Sequence, residues 1–164
     1  MFGRRLPAER RPALEAHERI VGWARLDEGD IVVTNLGLWL PGHARLDWHR
    51  VHKATWSGET LTIVPASVVA ERSGYAVMAD EPPWSVRLPA PGDVPHQIRA
   101  RVTRSVGPSE HHRLPGGGVR VAARRVSGVD GLRWTVRYDP GVDPSDPSVV
   151  AETDRLVAAA RGDV

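Results

Sequence analysis

The chain has 164 residues and a formal net charge of only +2, because 22 basic residues, all but Lys53 being arginine, nearly balance 20 acids. It has no cysteine, which excludes disulfide frameworks, thiolate metal sites and cysteine nucleophiles. No apolar run approaches the roughly 18 residues of a membrane span or forms a signal-peptide core, so no transmembrane segment and a cytoplasmic location are expected.

The length suits one domain that buries a core without covalent staples. Residues 1–18 are predicted to form an N-terminal arm, in which Pro7 and Pro12 limit any helix to about two turns. Residues 19–164 are then expected to form a single globular domain.

The first part of this domain is predicted to be a tight antiparallel meander. β-Branched residues predict strands over Ile20 to Leu26 and Ile31 to Thr34, separated by a turn at Asp27-Glu28-Gly29. A third strand is predicted over Leu38 to Leu40, where Pro41-Gly42 ends it. These short, turn-bounded runs indicate antiparallel β structure.

A hairpin is predicted next, with Ser57-Gly58 as a two-residue turn. This register pairs Trp56 with Glu59, Ala54 with Leu61, and His52 with Ile63 on a mainly apolar face. It leaves the lysine and threonines of both strands on the other face. His52 is therefore expected to point inward, with its ring nitrogens hydrogen-bonded.

Five prolines between residues 79 and 95 leave room only for a short strand around Ser85 to Leu88. A helix is predicted over residues 94–105, since apolar residues recur every fourth position and Pro95 lies in the first turn. The alternative is a strand with Ile98, Ala100 and Val102 inward, because periodicity over so short a run does not separate the two.

A second hairpin is predicted over Val119 to Val126 and Leu132 to Tyr138, with a four-residue turn at 128–131 that pairs Ser127 with Leu132. A C-terminal helix is predicted over residues 147–161. Its signals are Asp146 as the N-cap, Pro147 in the first turn and Gly162 as the stop. Its buried stripe is predicted to comprise Val149, Val150, Thr153, Leu156 and Val157.

Five short runs in the first half of the chain together resemble the pattern of the bacterial pleckstrin-homology-like families. They are Val32-Val33-Thr34-Asn35, Gly37-Leu38-Trp39-Leu40, Arg45 to Val51, Ala54-Thr55-Trp56 and Leu61 to Val64. The resemblance covers about residues 19–106. It implies an α+β, mainly antiparallel β fold, in which a bent sheet forms a partly open barrel capped by helices. The hairpin and helix from residue 114 onward extend beyond that pattern.

The resemblance also implies a binding or scaffold domain without catalytic residues. Pleckstrin-homology domains that bind phosphoinositides carry basic residues in the loop between their first two strands. The matching loop here is Asp27-Glu28-Gly29-Asp30, whose three acids would repel a phosphate. Lipid-headgroup binding is therefore not expected.

The second hairpin carries a cluster of arginines on its predicted outer face, with Arg99, Arg101 and Arg104 as further candidates nearby. Guanidinium groups suit phosphate and carboxylate, so this face is a candidate surface for an anion, a nucleic acid or an acidic peptide. The alternative is a solvated sheet face without a ligand, in a chain that uses arginine for nearly every cation. The candidate residues are Arg120, Arg124, Arg133 and Arg137.

Tryptophan is the other unusual feature, with six against one phenylalanine and two tyrosines. Four of the six, Trp23, Trp48, Trp56 and Trp134, are expected to pack in the core. Trp39 and Trp84 are expected to be partly exposed, where either could rim a groove that captures a peptide. They complete the candidate binding residues.

Catalysis is not predicted. The sequence has neither a G-x-S-x-G elbow nor a glycine-rich phosphate loop. His111-His112 and His49-x-x-His52 would point to opposite faces of a strand, so neither pair is expected to chelate a metal. If residues 48–51 instead form a helical turn, His49 and His52 could approach each other, but no carboxylate recurs at a fitting interval. No metal or cofactor is expected.

Two functional hypotheses follow. The first is a non-catalytic domain that binds a protein or peptide segment, along an open sheet edge or a groove near Trp39 or Trp84. The second is binding of an anion or nucleic acid by the arginine face, which would weaken steeply with salt. A small-molecule enzyme ranks third, because the strand patterns fill the interior with apolar side chains.

Overall fold

A computed structural model describes residues 5–162. The fold is α+β and mainly antiparallel β, with 45% of residues in strands, 21% in helices, and a curled half-barrel sheet. The predicted fold class is confirmed, and so are both predicted helices.

The strands in chain order are β1 (Ile20–Arg25), β2 (Asp30–Thr34), β3 (Gly37–Trp39), β4 (Leu46–Asp47), β5 (Val51–Ser57), β6 (Thr60–Arg72), β7 (Tyr75–Asp80), β8 (Trp84–Arg87), β9 (Val106–Leu114), β10 (Gly117–Arg125) and β11 (Leu132–Tyr138). The helices are α1 (Val94–Ser105) and α2 (Pro147–Arg161). Short 3-10 turns cover Ala8–Arg10 and Trp48–Arg50. The described part of the arm, residues 5–18, therefore contains one 3-10 turn in place of the two helical turns that its sequence allowed.

The chain divides into two compact units, each with its own core. The first runs through Ala66 and includes Asp80–Ser105 and Val126–Val129; the second comprises Ser67–Ala79, Val106–Arg125 and the described residues from Asp130 onward. The domain predicted over residues 19–164 thus contains two apolar clusters.

In the first unit, β1 to β4 form an antiparallel sheet in chain order, while β5 and β8 both pair with the first half of β6. Alternate residues of these strands point into one core, which α1 contributes to through Val94 and Ile98. Trp48 is 2% exposed and donates its indole N–H to the Thr34 carbonyl at 2.9 Å.

In the second unit, the strand order is the last half of β6, then β7, β11, β10 and β9. β11 runs parallel to β7, with Val136 beside Val77, and antiparallel to β10. Helix α2 packs on one face through Val149, Leu156 and Val157. The predicted cap, start and stop of α2 are all confirmed, since Asp146 accepts from the Ser148 amide at 2.9 Å and Gly162 ends the helix with φ +80°.

The first predicted hairpin has the predicted faces but a different register. Trp56 pairs with Leu61 and Ala54 with Ile63, because the loop is Gly58-Glu59 rather than Ser57-Gly58. Gly58 has φ +62°, a conformation that favours glycine at this first loop position. Moving the turn by one residue shifts each pairing by two, which leaves the apolar face unchanged.

The predicted inward position of His52 is wrong. An irregularity between Val51 and Lys53 places Val51 in the core at 0% exposure and leaves His52 on the surface. The His52 ring nitrogen Nδ1 lies 2.9 Å from the Asp80 carboxylate. A bulge adds a residue to one strand and so changes which side chain points inward.

The second hairpin differs in the same way. Its last pair is Arg125 with Leu132, so the connection spans six residues rather than four. Residues 126–129 close their own turn, in which the Val129 amide donates to the Val126 carbonyl at 3.0 Å. Again the shift is two residues, and the apolar face formed by Val119, Val121 and Val136 is the predicted one.

Candidate functional site

The four candidate arginines lie on one face of the second unit's sheet, opposite the face that carries α2. Arg120 lies directly across from Arg137, and Arg124 directly across from Arg133. The register predicted from a Ser127–Leu132 pair would instead place Thr135 across from Arg124 and leave Arg120 only diagonal to Arg137. The observed register therefore brings the backbone positions of these arginines closer together than the sequence indicated.

The four differ in exposure. Arg120 and Arg133 are exposed and Arg137 is half-buried, whereas Arg124 is only 9% exposed. Burial, together with the positive charge of Arg137, lowers the pKa of Arg124. Neither Arg124 nor Arg137 is without a partner in the chain. Of the four arginines predicted to lie on a solvent-exposed face, only Arg120 and Arg133 are therefore exposed.

Between the two arginine rows lies a row of small side chains. Ser109 of β9, Ala122 of β10, Thr135 of β11 and Ala76 of β7 are adjacent across the four strands. Ser109 is exposed and the other three are half-buried, so solvent reaches the row. We call this row and the arginines on either side of it the arginine trough. Arg99, Arg101 and Arg104 lie on α1, in the first unit, and are not part of it.

Trp39 and Trp84 are both half-buried and engaged within the first unit. The Trp39 indole N–H donates to Glu18 Oε2 at 2.9 Å. Trp84 packs against the apolar core and stacks on His43, with ring centroids 4.1 Å apart. The two indoles therefore take part in intramolecular contacts, and the partial exposure predicted for them is confirmed.

Glu18 anchors the end of the arm. Its side chain is fully buried and accepts hydrogen bonds from Thr34 Oγ1 at 2.6 Å and from the Glu15 amide at 3.1 Å, besides that from Trp39. Arg45 Nη1 lies 3.0 Å from Glu18 Oε1. Burial alone would raise the pKa of Glu18, but these donors and the charge of Arg45 lower it overall. This network is structural.

A polar cluster holds α2 against the second sheet. Tyr75 donates to Asp154 at 2.5 Å, and Tyr138 lies 2.7 Å from the hydroxyl of Thr153. Arg72 donates to both tyrosine hydroxyls and to the Pro144 carbonyl. Burial and the hydrogen bond to Asp154 raise the pKa of Tyr75 to about 12, although Arg72 opposes this.

One candidate surface was not identified from the sequence. The pairings of β5 and β8 with β6 end by Pro65, so among the described strands residues 67–72 of β6 have β7 on one side and an open edge on the other. Val68 and Val69 on this segment are 47% and 59% exposed. We call Ser67–Arg72 the β6 edge. The sequence does contain a signal for this surface, because successive side chains of a strand point to opposite faces. One of two adjacent valines must therefore lie on the face that is otherwise polar. That they lie on an edge depends on the strand order.

The opposite edge of the same sheet is protected. β9 pairs with β10 alone among the described strands, and its residues include Pro108, Glu110 and Arg113. Proline and charged side chains prevent another chain from pairing with an edge strand. The β6 edge has instead the apolar run Val68-Val69-Ala70 before Glu71 and Arg72, whereas β9 exposes a single valine, Val106, at its start. The two edges therefore differ in how strongly they oppose pairing.

Three histidines, His52, His111 and His112, lie within 4 Å of a carboxylate oxygen. His111 Nε2 lies 3.0 Å from Asp139. Among residues 5–162, no group of three or more histidine, aspartate or glutamate side chains is arranged to hold a metal ion. No helix in that range is long and apolar enough to cross a membrane.

The fold and these surfaces define an α+β, mainly antiparallel β protein with two apolar cores. In comparisons with known proteins, no family model, no curated protein and no solved structure matches the chain.

Proposed function

We propose that the protein is a non-catalytic binding module that takes up an extended segment of a partner protein as an additional strand along the β6 edge. The observation that carries the proposal is the contrast between the two edges of one sheet. One carries proline and charged residues along most of its length and exposes a single valine, Val106, whereas the other exposes the adjacent valines Val68 and Val69.

Strand addition suits this segment. The main chain of an edge strand supplies hydrogen bonds to an added strand, and alternate side chains supply specificity. Val68 and Val69 point to opposite faces of the sheet, so they contact an added strand from both sides. Ala70 packs against the core under α2, which holds the segment in place.

The chemistry of the edge defines the partner segment. It is an extended run with apolar side chains opposite Val68 and Val69 and a basic side chain opposite the exposed Glu71. Apolar and opposite-charge cross-strand pairs each contribute roughly 0.2–1 kcal/mol. The binding free energy therefore comes mainly from the backbone and from apolar contact, and we expect weak dependence on salt.

The resemblance to the bacterial pleckstrin-homology-like families supports this function, because those domains are binding and scaffold modules. We propose membership of that group for the region of about residues 19–106. The β6 edge lies within this region, whereas β10, β11 and α2, which pack beside it in the second unit, are an extension of it.

The experiment selects linear peptides from a displayed library on the full chain and measures their affinity by fluorescence anisotropy. Val68→Lys and Val69→Lys are compared with Val129→Lys, which changes a valine of similar exposure, 45%, in the loop after β10. The two edge variants should lose binding at least tenfold while the control retains it.

Peptides that bind the edge variants and the wild type equally well would contradict the proposal, and so would a selection that yields none. Thermal unfolding of each variant shows whether a loss of binding reflects a loss of fold.

A further inference from the structure

The arginine trough has a geometry that the protein-binding proposal does not use. Two pairs of arginines occupy directly paired backbone positions across β10 and β11. Like charges directly opposite in an antiparallel pair are destabilising. A sheet that retains two such pairs, two residues on either side of a floor of small side chains, is arranged to receive negative charge between them.

One arginine already leans over the floor. Arg120 Nη1 donates to Ser109 Oγ at 3.1 Å, and Ser109 belongs to the floor row rather than to the row of Arg120. Rows two residues apart are separated by about 7 Å along a strand, a distance that an arginine side chain can span. Arg120 and Arg133 can therefore approach the same point from opposite rows.

We propose that the trough binds a phosphate group above Ala122, held between Arg120 and Arg133. Guanidinium groups donate two parallel hydrogen bonds to phosphate oxygens, and the Ser109 hydroxyl is a further donor. The small floor leaves room for the group, since a bulky side chain at position 122 or 135 would occupy that space. Arg124 and Arg137 have partners of their own and contribute long-range positive charge.

The four arginines outnumber the two acids closest to the trough in sequence pairing, Asp139 and Glu110. Asp139 follows β11 and pairs with His111 beside Arg120. Glu110 of β9 pairs with Val121 and so lies on the other face of the sheet. The ligand is a free phosphate or the phosphoryl group of a small molecule. A long nucleic acid is disfavoured by a net charge of only +2.

The test is isothermal titration of the full chain with inorganic phosphate and with pyrophosphate at physiological salt. Arg120→Gln and Arg133→Gln should each weaken binding about tenfold, as expected for one charged hydrogen-bonding partner. Arg99→Gln, which removes the same charge from an exposed position on α1, should have no effect.

Ala122→Leu fills the space above the floor of the trough without changing the charge of the protein. It therefore distinguishes binding at a defined site from general electrostatic attraction of the anion to the arginines. We expect it to abolish binding. Unchanged affinity in this variant would overturn the proposal, as would equal losses in Arg99→Gln or no binding of either anion to the wild type. A single-stranded oligonucleotide that binds when both anions fail would also contradict it.

Thermal stability with and without phosphate is a second measurement, and it distinguishes phosphate binding by Arg133 from a purely structural role of this residue. Arg133→Gln removes a like-charge pair with Arg124, so it should unfold at a temperature equal to or above that of the wild type. It should nevertheless lose the stabilisation that phosphate gives to the wild type. A destabilised Arg133→Gln with a normal phosphate response would overturn the assignment.

Discussion

Glu18 shows how one buried charge fixes the arm to the first unit. Three hydrogen-bond donors and Arg45 surround its carboxylate, and their combined effect lowers its pKa despite burial. The sequence did not indicate this role, because all the partners except the Glu15 amide, namely Thr34, Trp39 and Arg45, are distant along the chain. Glu18 is one of three glutamates in a polar arm, and no local pattern marks it as the buried one.

Glu18→Gln should destabilise the protein by about 1–3 kcal/mol at neutral pH, since a buried charged acceptor is lost. A depressed folded-state pKa stabilises the fold above the ordinary glutamate value and ceases to do so as the pH falls through the folded value. The wild type should therefore lose stability in acid more steeply than the variant. Denaturant unfolding at several pH values measures this, and parallel pH profiles would contradict it.

Tyr75 gives the opposite pH dependence. Its pKa, raised to about 12, means that its contribution to stability is complete below pH 10 and is lost as the pH rises towards 12. Ultraviolet absorbance of tyrosinate should show a step near pH 12 that Tyr75→Phe removes. The same variant should cost about 1 kcal/mol through loss of the bond to Asp154. A step that survives in Tyr75→Phe would contradict the assignment.

At the scale of elements, the sequence predicted the faces of both hairpins but not their registers. Alternation of apolar and polar residues determines which side of a strand is buried, whatever the exact pairing. The register depends on turn length, which in both hairpins differed from the prediction. In the first it followed from Gly58 at the first loop position, and in the second from a separate turn over residues 126–129.

The bulge in β5 can be distinguished from regular pairing by two substitutions. Val51→Ala should destabilise the protein by about 2 kcal/mol, because Val51 is fully buried. His52→Ala should change the unfolding free energy by less than about 0.5 kcal/mol, since its ion pair with Asp80 is exposed. Thermal or denaturant unfolding of the pair provides the comparison. Regular alternation without the bulge predicts the reverse order.

At the scale of the whole chain, the fold class could be predicted because short alternating runs bounded by glycine and proline indicate antiparallel strands. The strand order of the second unit could not. Its parallel contact joins Ala76 and Val77 to Thr135 and Val136, far apart in sequence and with no turn between them to signal it. Neither β7 nor the long strand β9 was predicted.

The two candidate surfaces differ in how far their prediction from the sequence requires knowledge of that strand order. The shared face of the arginines could be predicted from alternation within one hairpin. The β6 edge could not, because an edge is defined by which strand lies beside it. Both surfaces belong to the second unit, at different places in one sheet, so variants of one should leave the other intact. We therefore expect Val69→Lys to retain phosphate binding and Arg133→Gln to retain peptide binding.

Amide hydrogen exchange of the full chain, with and without a selected peptide, tests the strand-addition account most directly. An added strand satisfies backbone groups along the β6 edge, so exchange should slow within residues 67–72 and stay unchanged in β9. Protection confined to β9 or to the surroundings of Trp39 and Trp84, with residues 67–72 unaffected, would contradict the account.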